Sequence, residues 1–336
     1  MILAAITTCR RAPAMVERAV KSVIAQTYTD WNLVVVDDSP NDYEFREDVR
    51  KMVEGYAAQD SRISYVAHDK NYGAQRARNT ALKIAENAYW GGGHEFIAYL
   101  DDDDEWLPEK LEKQITRFNE CGENTGLVYC YFYYADKNFA EHRHIPHLQH
   151  IGAEGNVYPR LLENNFVAML ALIRTKCLVD IGGFDEAMPA LQDWDTWLRL
   201  SVRYDFACVK EPLVVVYQDR GSEHVLGSYT RIIRGYELIE SKNKEYLTAN
   251  PRTYCKLIEN NLPLYLLNGE YRKFVSLWLK LLRLQPRNKI SSIFVMLRSF
   301  STLMKESVKS LLFKINPQLF YGLKKVKYRL KGEHTN

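Results

Sequence analysis

The chain has 336 residues, 46% of them hydrophobic and 26% charged, which excludes global disorder and allows a sizeable core. Its formal net charge of +3 is too near neutral for a dedicated nucleic-acid binder. At about 150 residues per domain, this length suits two domains or one large domain with an appendage. A short apolar run over 2–6 reads as a first strand; no basic residues precede it, so it does not read as a signal peptide. A helix is predicted over 15–25, with Val16, Ala19, Val20, Val23 and Ile24 at helical spacing. The β-branched run 33–37 reads as a strand buried on both faces. An acidic, helix-compatible stretch covers 43–58, then a strand over 63–67 and a helix over 74–88. A strand over 96–100, a helix over 108–121 and an aromatic strand over 126–134 follow. Such alternation with short connections predicts a parallel sheet covered by helices.

Residues 142–155, rich in His, Pro and Gly, read as a loop. An apolar segment at 168–173 precedes a turn at Gly182-Gly183-Phe184-Asp185. A helix over 192–204 would turn Trp194, Trp197, Leu198 and Val202 inward, and 206–217 reads as two short strands. Beyond about residue 220 the pattern is helical. The expected organisation is a first domain over 1–220 and a mainly helical, basic region over 221–336. No run of about 18 uncharged apolar residues occurs, so no spanning helix is expected. The cysteines Cys9, Cys121, Cys130, Cys177, Cys208 and Cys255 form no CxxC pair, which argues against a zinc site. Reduced thiols in a cytosolic protein are the simplest reading.

Charge is unevenly placed. Residues 286–336 hold 11 Lys or Arg against Glu306 and Glu333, while the other 285 residues hold 34 basic and 40 acidic groups. Apolar residues from Ile290 to Leu311 fall near helical spacing with Lys305, Lys309 and Lys314 between them, and a basic stretch over 319–331 follows. A basic amphipathic helix can lie on an anionic membrane surface. The alternative is a helix packed on the first domain with its lysines in solvent.

Polar clusters fall where three strands should end: Thr7-Thr8, Asp37-Asp38 and the run Asp101-Asp102-Asp103-Asp104. In an open α/β sheet, ligands bind outside the carboxyl ends of the strands. There is neither a GxGxxG dinucleotide fingerprint nor a P-loop. Four consecutive aspartates repel one another, and their oxygens are hard ligands suited to Mg²⁺ or Mn²⁺. A solvated acidic turn capping the next helix is the alternative. Asp38 can accept a hydrogen bond from a nucleobase N–H or simply close an Asx turn. Arg76 and Arg78, at the opening of a helix, can reach phosphates or lie exposed. Asp193 and Asp195, interleaved with Trp194 and Trp197, suggest a lined pocket; a single acid at a helix start is more often a cap. His224 stands alone and carries little signal.

In order, these segments resemble the family-2 glycosyltransferases of bacterial polysaccharide type, which have a GT-A fold. The likeness covers roughly residues 1–220. Its segments are Ile6-Thr-Thr8, Ser22-Val-Ile-Ala-Gln-Thr-Tyr28, Val34-Val-Val-Asp-Asp38, Asn71-Tyr-Gly73 and Ala77-Arg-Asn79. Residues 96–106 with Leu107-Pro-Glu-Lys110, then Gly182-Gly-Phe-Asp185 and Gln192-Asp-Trp-Asp195, complete it. The resemblance implies a doubly wound, mostly parallel α/β sheet flanked by helices, with a C-terminal helical extension. It implies a nucleotide-sugar donor of UDP-sugar type, with Thr8, Asp38, Arg78, Asp101 and Asp102 on the nucleotide sugar. Asp103 would hold a divalent metal, Mn²⁺ or Mg²⁺, and Asp193 would be the catalytic base of an inverting transfer. The acceptor would be a glycan or a lipid-linked hydroxyl, with no nucleic acid involved. The protein would be cytoplasmic, peripheral on the inner face of the cell membrane. Competing readings are a sugar-phosphate nucleotidyltransferase, disfavoured by the lack of a Gly-rich first loop, and an inactive sugar- or membrane-binding scaffold that retains the fold.

Overall fold

The computed structural model describes residues 1–87, 93–136, 143–144, 152–218, 225–284 and 295–304. The chain divides into two compact units, Met1–Glu223 and His224–Asn336. The first begins β1 (Ile2–Thr8), α1 (Pro13–Ile24), β2 (Trp31–Asp37), α2 (Arg46–Ala57), β3 (Ile63–Ala67), α3 (Ala74–Glu86) and β4 (Phe96–Asp101). Next come β5 (Glu105–Trp106), α4 (Lys110–Glu120), β6 (Thr125–Asp136) and β7 (Arg143–His144). It closes with α5 (Tyr158–Glu163), β8 (Leu172–Arg174), α6 (Thr175–Asp180), α7 (Gln192–Ser201) and β9 (Asp205–Gln218).

Among the described residues these strands form one nine-stranded sheet, ordered β3-β2-β1-β4-β8-β6-β9-β5, with β7 on β6. The alternating apolar faces of the strands explain why both sides are covered. Ile2, Ala4 and Ile6 with Leu33 and Val35 face a core shared with α1, α2 and α4. Their neighbours Leu3, Ala5, Val34 and Val36 are equally buried but point to the opposite face, where α3 packs. The expected parallel sheet holds for β3-β2-β1-β4. Beyond β4 the sheet is mixed. β8 is antiparallel to both β4 and β6, β6 runs parallel to β9, β5 is antiparallel to β9, and β7 is antiparallel to β6.

Several expectations need correction. Residues 206–217 form one long strand, not two short ones. Pro212 pairs with Tyr131 beside two register shifts, so a bulge absorbs the proline instead of ending the strand. α7 stops at Ser201, and Val202 beyond it is 63% exposed instead of inward. Within the expected loop 142–155, residues 143–144 make a two-residue strand on β6, and Gly155 bridges Phe206. The short helices α5 and α6 carry too few turns to give a periodic signal.

The second unit comprises α8 (Val225–Lys242), α9 (Lys244–Ala249), α10 (Pro251–Leu267) and α11 (Tyr271–Leu284), and residues 295–304 are helical. Ile233, Ile239, Leu247, Leu257, Ile258, Leu262, Phe274 and Leu281 fill its interior. Phe300 meets Phe274 edge-on at 5.9 Å. His224, most of the amphipathic stretch after Ile290 and the basic residues 305–336 lie outside the described residues.

Candidate active site

The parallel register sets Thr8 opposite Asp37 and Thr7 opposite Asp101, so the carboxyl ends of β1, β2 and β4 form one polar edge. Asp37 is fully buried and serves the fold. It accepts the Ser39 N–H at 2.8 Å and the Tyr65 hydroxyl at 2.7 Å. Burial and that carboxylate together hold the Tyr65 hydroxyl well above the usual phenol range. Asp38, also buried, accepts the N–H groups of Tyr72 at 2.8 Å and Gly73 at 2.7 Å, and His68 Nδ1 lies 2.7 Å from it. It thereby fixes the chain entering α3. Gly73 has φ +97°, a conformation that a side chain would strain.

The acidic turn is met by arginines from three directions. Arg78 donates to Asp101 at 2.8 Å. Arg11 bridges Asp102 and Asp103, each at 2.9 Å. Arg18, on α1, donates to the Asp103 backbone carbonyl and stacks its guanidinium 3.7 Å over the Tyr217 ring. The four acids alternate. Asp102 and Asp104 point inward, whereas Asp101 and Asp103 are more open. Burial pushes the Asp102 carboxyl up to about 6, against the pull of Arg11. Burial, then repulsion from Asp101 and Asp103, pushes Asp104 up to about 8 while the Tyr217 N–H donates to it at 3.0 Å.

The open pair Asp101 and Asp103 fits a hard divalent ion that takes only one or two carboxylates from the protein. Among the described residues no cluster of three or more His, Cys, Asp or Glu could hold a metal by itself. Mg²⁺-type sites commonly have this composition, completing their coordination with water and substrate phosphate.

α7 brings Asp193 to the same edge. Leu191 before it is left-handed at φ 58°, which turns the chain sharply into the helix. Asn165 Nδ2 donates to Asp193 Oδ2 at 2.8 Å. Burial raises the Asp193 carboxyl above its ordinary value; Arg78 lies near enough to oppose this and Asp101 near enough to add to it. Arg78 is 5% exposed, and its Nε and Nη1 are buried without an acceptor. A buried guanidinium with unused donors is poised for an anion.

Asp195 has a different task. It is 2% exposed and pairs with Arg199 at 2.9 Å. Arg199 in turn donates to the carbonyls of Ile181 and Gly183, both at 2.7 Å. Asn79 closes the same turn, donating to the Phe184 carbonyl and accepting the Phe184 N–H, each at 2.9 Å. A Cβ on Gly183 would lie 2.7 Å from Asn79 Oδ1. Three separate sequence motifs are thus one structural knot. Phe184, seated in it, meets Tyr99 and Trp197 edge-on. Trp194 and Trp197 face inward, as their helical spacing implied. Both are buried, with indole N–H groups donating to Leu161 at 2.7 Å and Ala168 at 2.8 Å. Arg76 takes the exposed alternative, stacking on Tyr72 at 4.5 Å and facing Glu186.

Thr8, Arg78, Asp101, Asp102, Asp103 and Asp193 therefore gather along one edge, while Asp38 directs its carboxylate to the 68–73 segment. Sequence reasoning missed Arg11, Arg18 and Asn165. The only signals are the basic pair Arg10-Arg11 after β1 and an Asn ahead of a short strand; Arg18, within α1, has none.

Known proteins share this chain's sequence pattern and fold. The sequence model of glycosyl transferase family 2 matches residues 4–182. A protein of Escherichia coli (strain K12) named as the colanic acid biosynthesis glycosyl transferase WcaA is 26% identical over 238 residues, 70% of this chain and 79% of its own. The Escherichia coli UDP-Glc:alpha-D-GlcNAc-diphosphoundecaprenol beta-1,3-glucosyltransferase WfgD is 30% identical over 190 residues, 56% of this chain. The alignment spans 65% of WfgD, slightly less than two thirds. Among solved structures, the mannosyltransferase PcManGT of Pyrobaculum calidifontis, in complex with GDP-Man and Mn²⁺, superposes with a TM-score of 0.57 at 15% identity. That superposition covers 94% of this chain and 87% of PcManGT.

Proposed function

The chain belongs to glycosyl transferase family 2 and is a glycosyltransferase of GT-A-type fold, and from that premise we propose that it transfers a sugar, with inversion, from a UDP-sugar to a hydroxyl of a glycan or lipid-linked acceptor. The observation that carries this is the convergence of Asp101, Arg78 and Asp193. An anion-seeking guanidinium stands beside an open carboxylate and a half-buried one. WfgD supports the donor and acceptor classes by its name, and PcManGT supports a divalent ion by its complex.

In this reading Thr8 and Asp102 face the nucleotide, and Asp38 shapes its wall through the 68–73 segment. Arg78 directs its unused N–H groups to the donor diphosphate. Asp103, with Asp101 beside it, would hold Mn²⁺ or Mg²⁺. Such an ion stabilises charge on a leaving diphosphate. Asp193, held by Asn165, takes the proton of the acceptor hydroxyl while that oxygen's lone pair forms the new bond to the anomeric carbon. The bond from that carbon to the donor phosphate oxygen breaks in the same displacement. The raised affinity of Asp193 for protons makes it a stronger base than an exposed aspartate.

The membrane is the proposed location of the acceptor. No helix among the described residues is long and apolar enough to cross it. The proposal is a peripheral position on the cytoplasmic face, held by the basic C-terminal region.

The test is a thermal-shift panel of nucleotide sugars with and without Mn²⁺. A ligand that binds only the folded state raises the melting temperature. UDP-sugars are expected to stabilise the protein in a metal-dependent way. A panel in which no nucleotide sugar does so would sink the reading and favour an inactive scaffold.

A further inference from the structure

Arg11 follows β1 in the loop before α1. Its Nε lies 2.9 Å from Asp102 Oδ1, and its Nη2 lies 2.9 Å from Asp103 Oδ2. One planar fork therefore spans two adjacent carboxylates, a geometry that a guanidinium allows and an ammonium does not. Asp102 is additionally fixed, because its other oxygen accepts the Cys9 N–H at 3.3 Å. Asp103 is more open, and its backbone carbonyl is held by Arg18. A cation of the protein itself thus occupies the carboxylates that would otherwise receive an external one. Arg11 is one-third exposed on a loop, so its side chain has room to leave.

We propose that Arg11 is an internal counter-ion that a divalent metal must displace from Asp103, and that the displaced guanidinium moves onto the diphosphate of the nucleotide. The inference rests on the donor reading above. Its consequence is an order of events. Metal alone must break the Asp103 prong of this ion pair and leave that arm of the Arg11 fork without an anion. Diphosphate supplies that anion, because its oxygens match a guanidinium fork. Metal and nucleotide then each strengthen the other's binding by the same factor, as linkage requires. The enzyme loads its ion with the nucleotide and not before it.

The test measures Mn²⁺ affinity by the electron paramagnetic resonance of the free ion, without nucleotide and with UDP or GDP. Wild type is compared with Arg11→Gln and Arg11→Lys. Wild type should bind Mn²⁺ weakly alone and on the order of 100-fold more tightly with nucleotide. Arg11→Gln should bind Mn²⁺ alone roughly tenfold more tightly than wild type, and bind nucleotide more weakly without metal, so the coupling collapses. Arg11→Lys keeps the charge without the fork and should fall between; it carries the test if the Gln variant does not fold. The inference is overturned if both variants bind Mn²⁺ alone no better than wild type yet keep Mn²⁺-dependent nucleotide binding. Absence of any Mn²⁺-dependent nucleotide binding in wild type would instead defeat the donor reading, and this inference with it.

Discussion

Asp193 and Asp195 stand two positions apart on α7, yet one is tied to Asn165 beside the acidic turn and the other to Arg199 in the interior. Asp193→Asn keeps the shape but cannot take a proton at neutral pH. Its turnover should fall by ~10²–10⁴-fold with donor affinity nearly intact. Asp195→Asn should keep transfer in the folded fraction and lose stability by about 1–3 kcal/mol, because half-buried Arg199 loses a charged hydrogen-bond acceptor. Steady-state kinetics with calorimetric donor binding separate the two; loss of transfer in a fully folded Asp195→Asn would reassign the base. The pH profile gives a second check. Burial raises the Asp193 carboxyl, so the acid limb of the rate should lie above the usual value of 3.8. Asn165 favours the charged form, and Asn165→Ala should move that limb to higher pH. A limb that stays in place would remove Asn165 from this role. Asp193 was legible in sequence because a local motif carries it. Asn165 lies 28 residues upstream, and Arg11 lies 91 and 92 residues from its partners. Only the folded loops set those distances.

α4 poses the clearest energetic question at the scale of elements. Its first residue, Lys110, is 0% exposed, with Nζ lacking a hydrogen-bond partner and lying 3.9 Å over the Trp106 ring. Burial lowers its pKa from 10.5 to about 8. Below about pH 8 both folded and unfolded states carry the charge, and the folded state bears the whole penalty. Between about 8 and 10.5 the unfolded state holds the extra proton, so stability rises with pH across that window. The penalty at neutral pH is of order 3 kcal/mol, offset in part by the ring. Lys110→Met, which fills similar volume without charge, should therefore raise the denaturation midpoint at pH 7 and flatten the rise between pH 8 and 10.5. A less stable variant with an unchanged profile would show that the ammonium contributes net stability. The same region shows why element reading succeeds unevenly. Gln26, from an early motif, donates to the carbonyls of Ser22 at 3.0 Å and Leu107 at 2.9 Å and accepts the Leu111 N–H at 3.0 Å. Its job is to lock α1 to the start of α4. Strong periodicity exposed β1 to β4 and their helices. The three-residue β8, wedged antiparallel between β4 and β6, is set by tertiary pairing and leaves almost no local trace.

Charge distribution is a property of the whole molecule, and the sequence displays it directly: 11 basic against two acidic groups after residue 285. The sequence does not display the surface that accompanies it. Along α11, Tyr271, Val275 and Leu279 are exposed at four-residue spacing, and on the 295–304 helix so are Leu297, Phe300 and Met304. Phe274 and Phe300 join these two helices, so the apolar residues belong to one packed pair. An apolar stripe with abundant lysine and arginine suits an anionic bilayer surface, where burial of the stripe and attraction to headgroups act together. The proposed membrane association then has a definite signature. Full-length protein should sediment with phosphatidylserine-containing vesicles far more than with phosphatidylcholine vesicles, and about 1 M salt should weaken this, since the screening length falls to about 3 Å. Truncation after Leu284 should abolish it. Truncation also removes the partner of Phe274, so a second variant is needed that leaves the packing alone. Lys324, Lys325, Lys327 and Lys331, all changed to Glu, cut the charge of residues 286–336 from +9 to +1 while leaving Phe274 and Phe300 in the chain. Each Lys or Arg near an anionic surface contributes about 1 kcal/mol, so these four changes alone should reduce vesicle affinity by several orders of magnitude. Equal binding by wild type and the four-Glu protein would sink the electrostatic half of the argument. Binding that also ignores lipid charge and salt would leave the stripe as the sole contact.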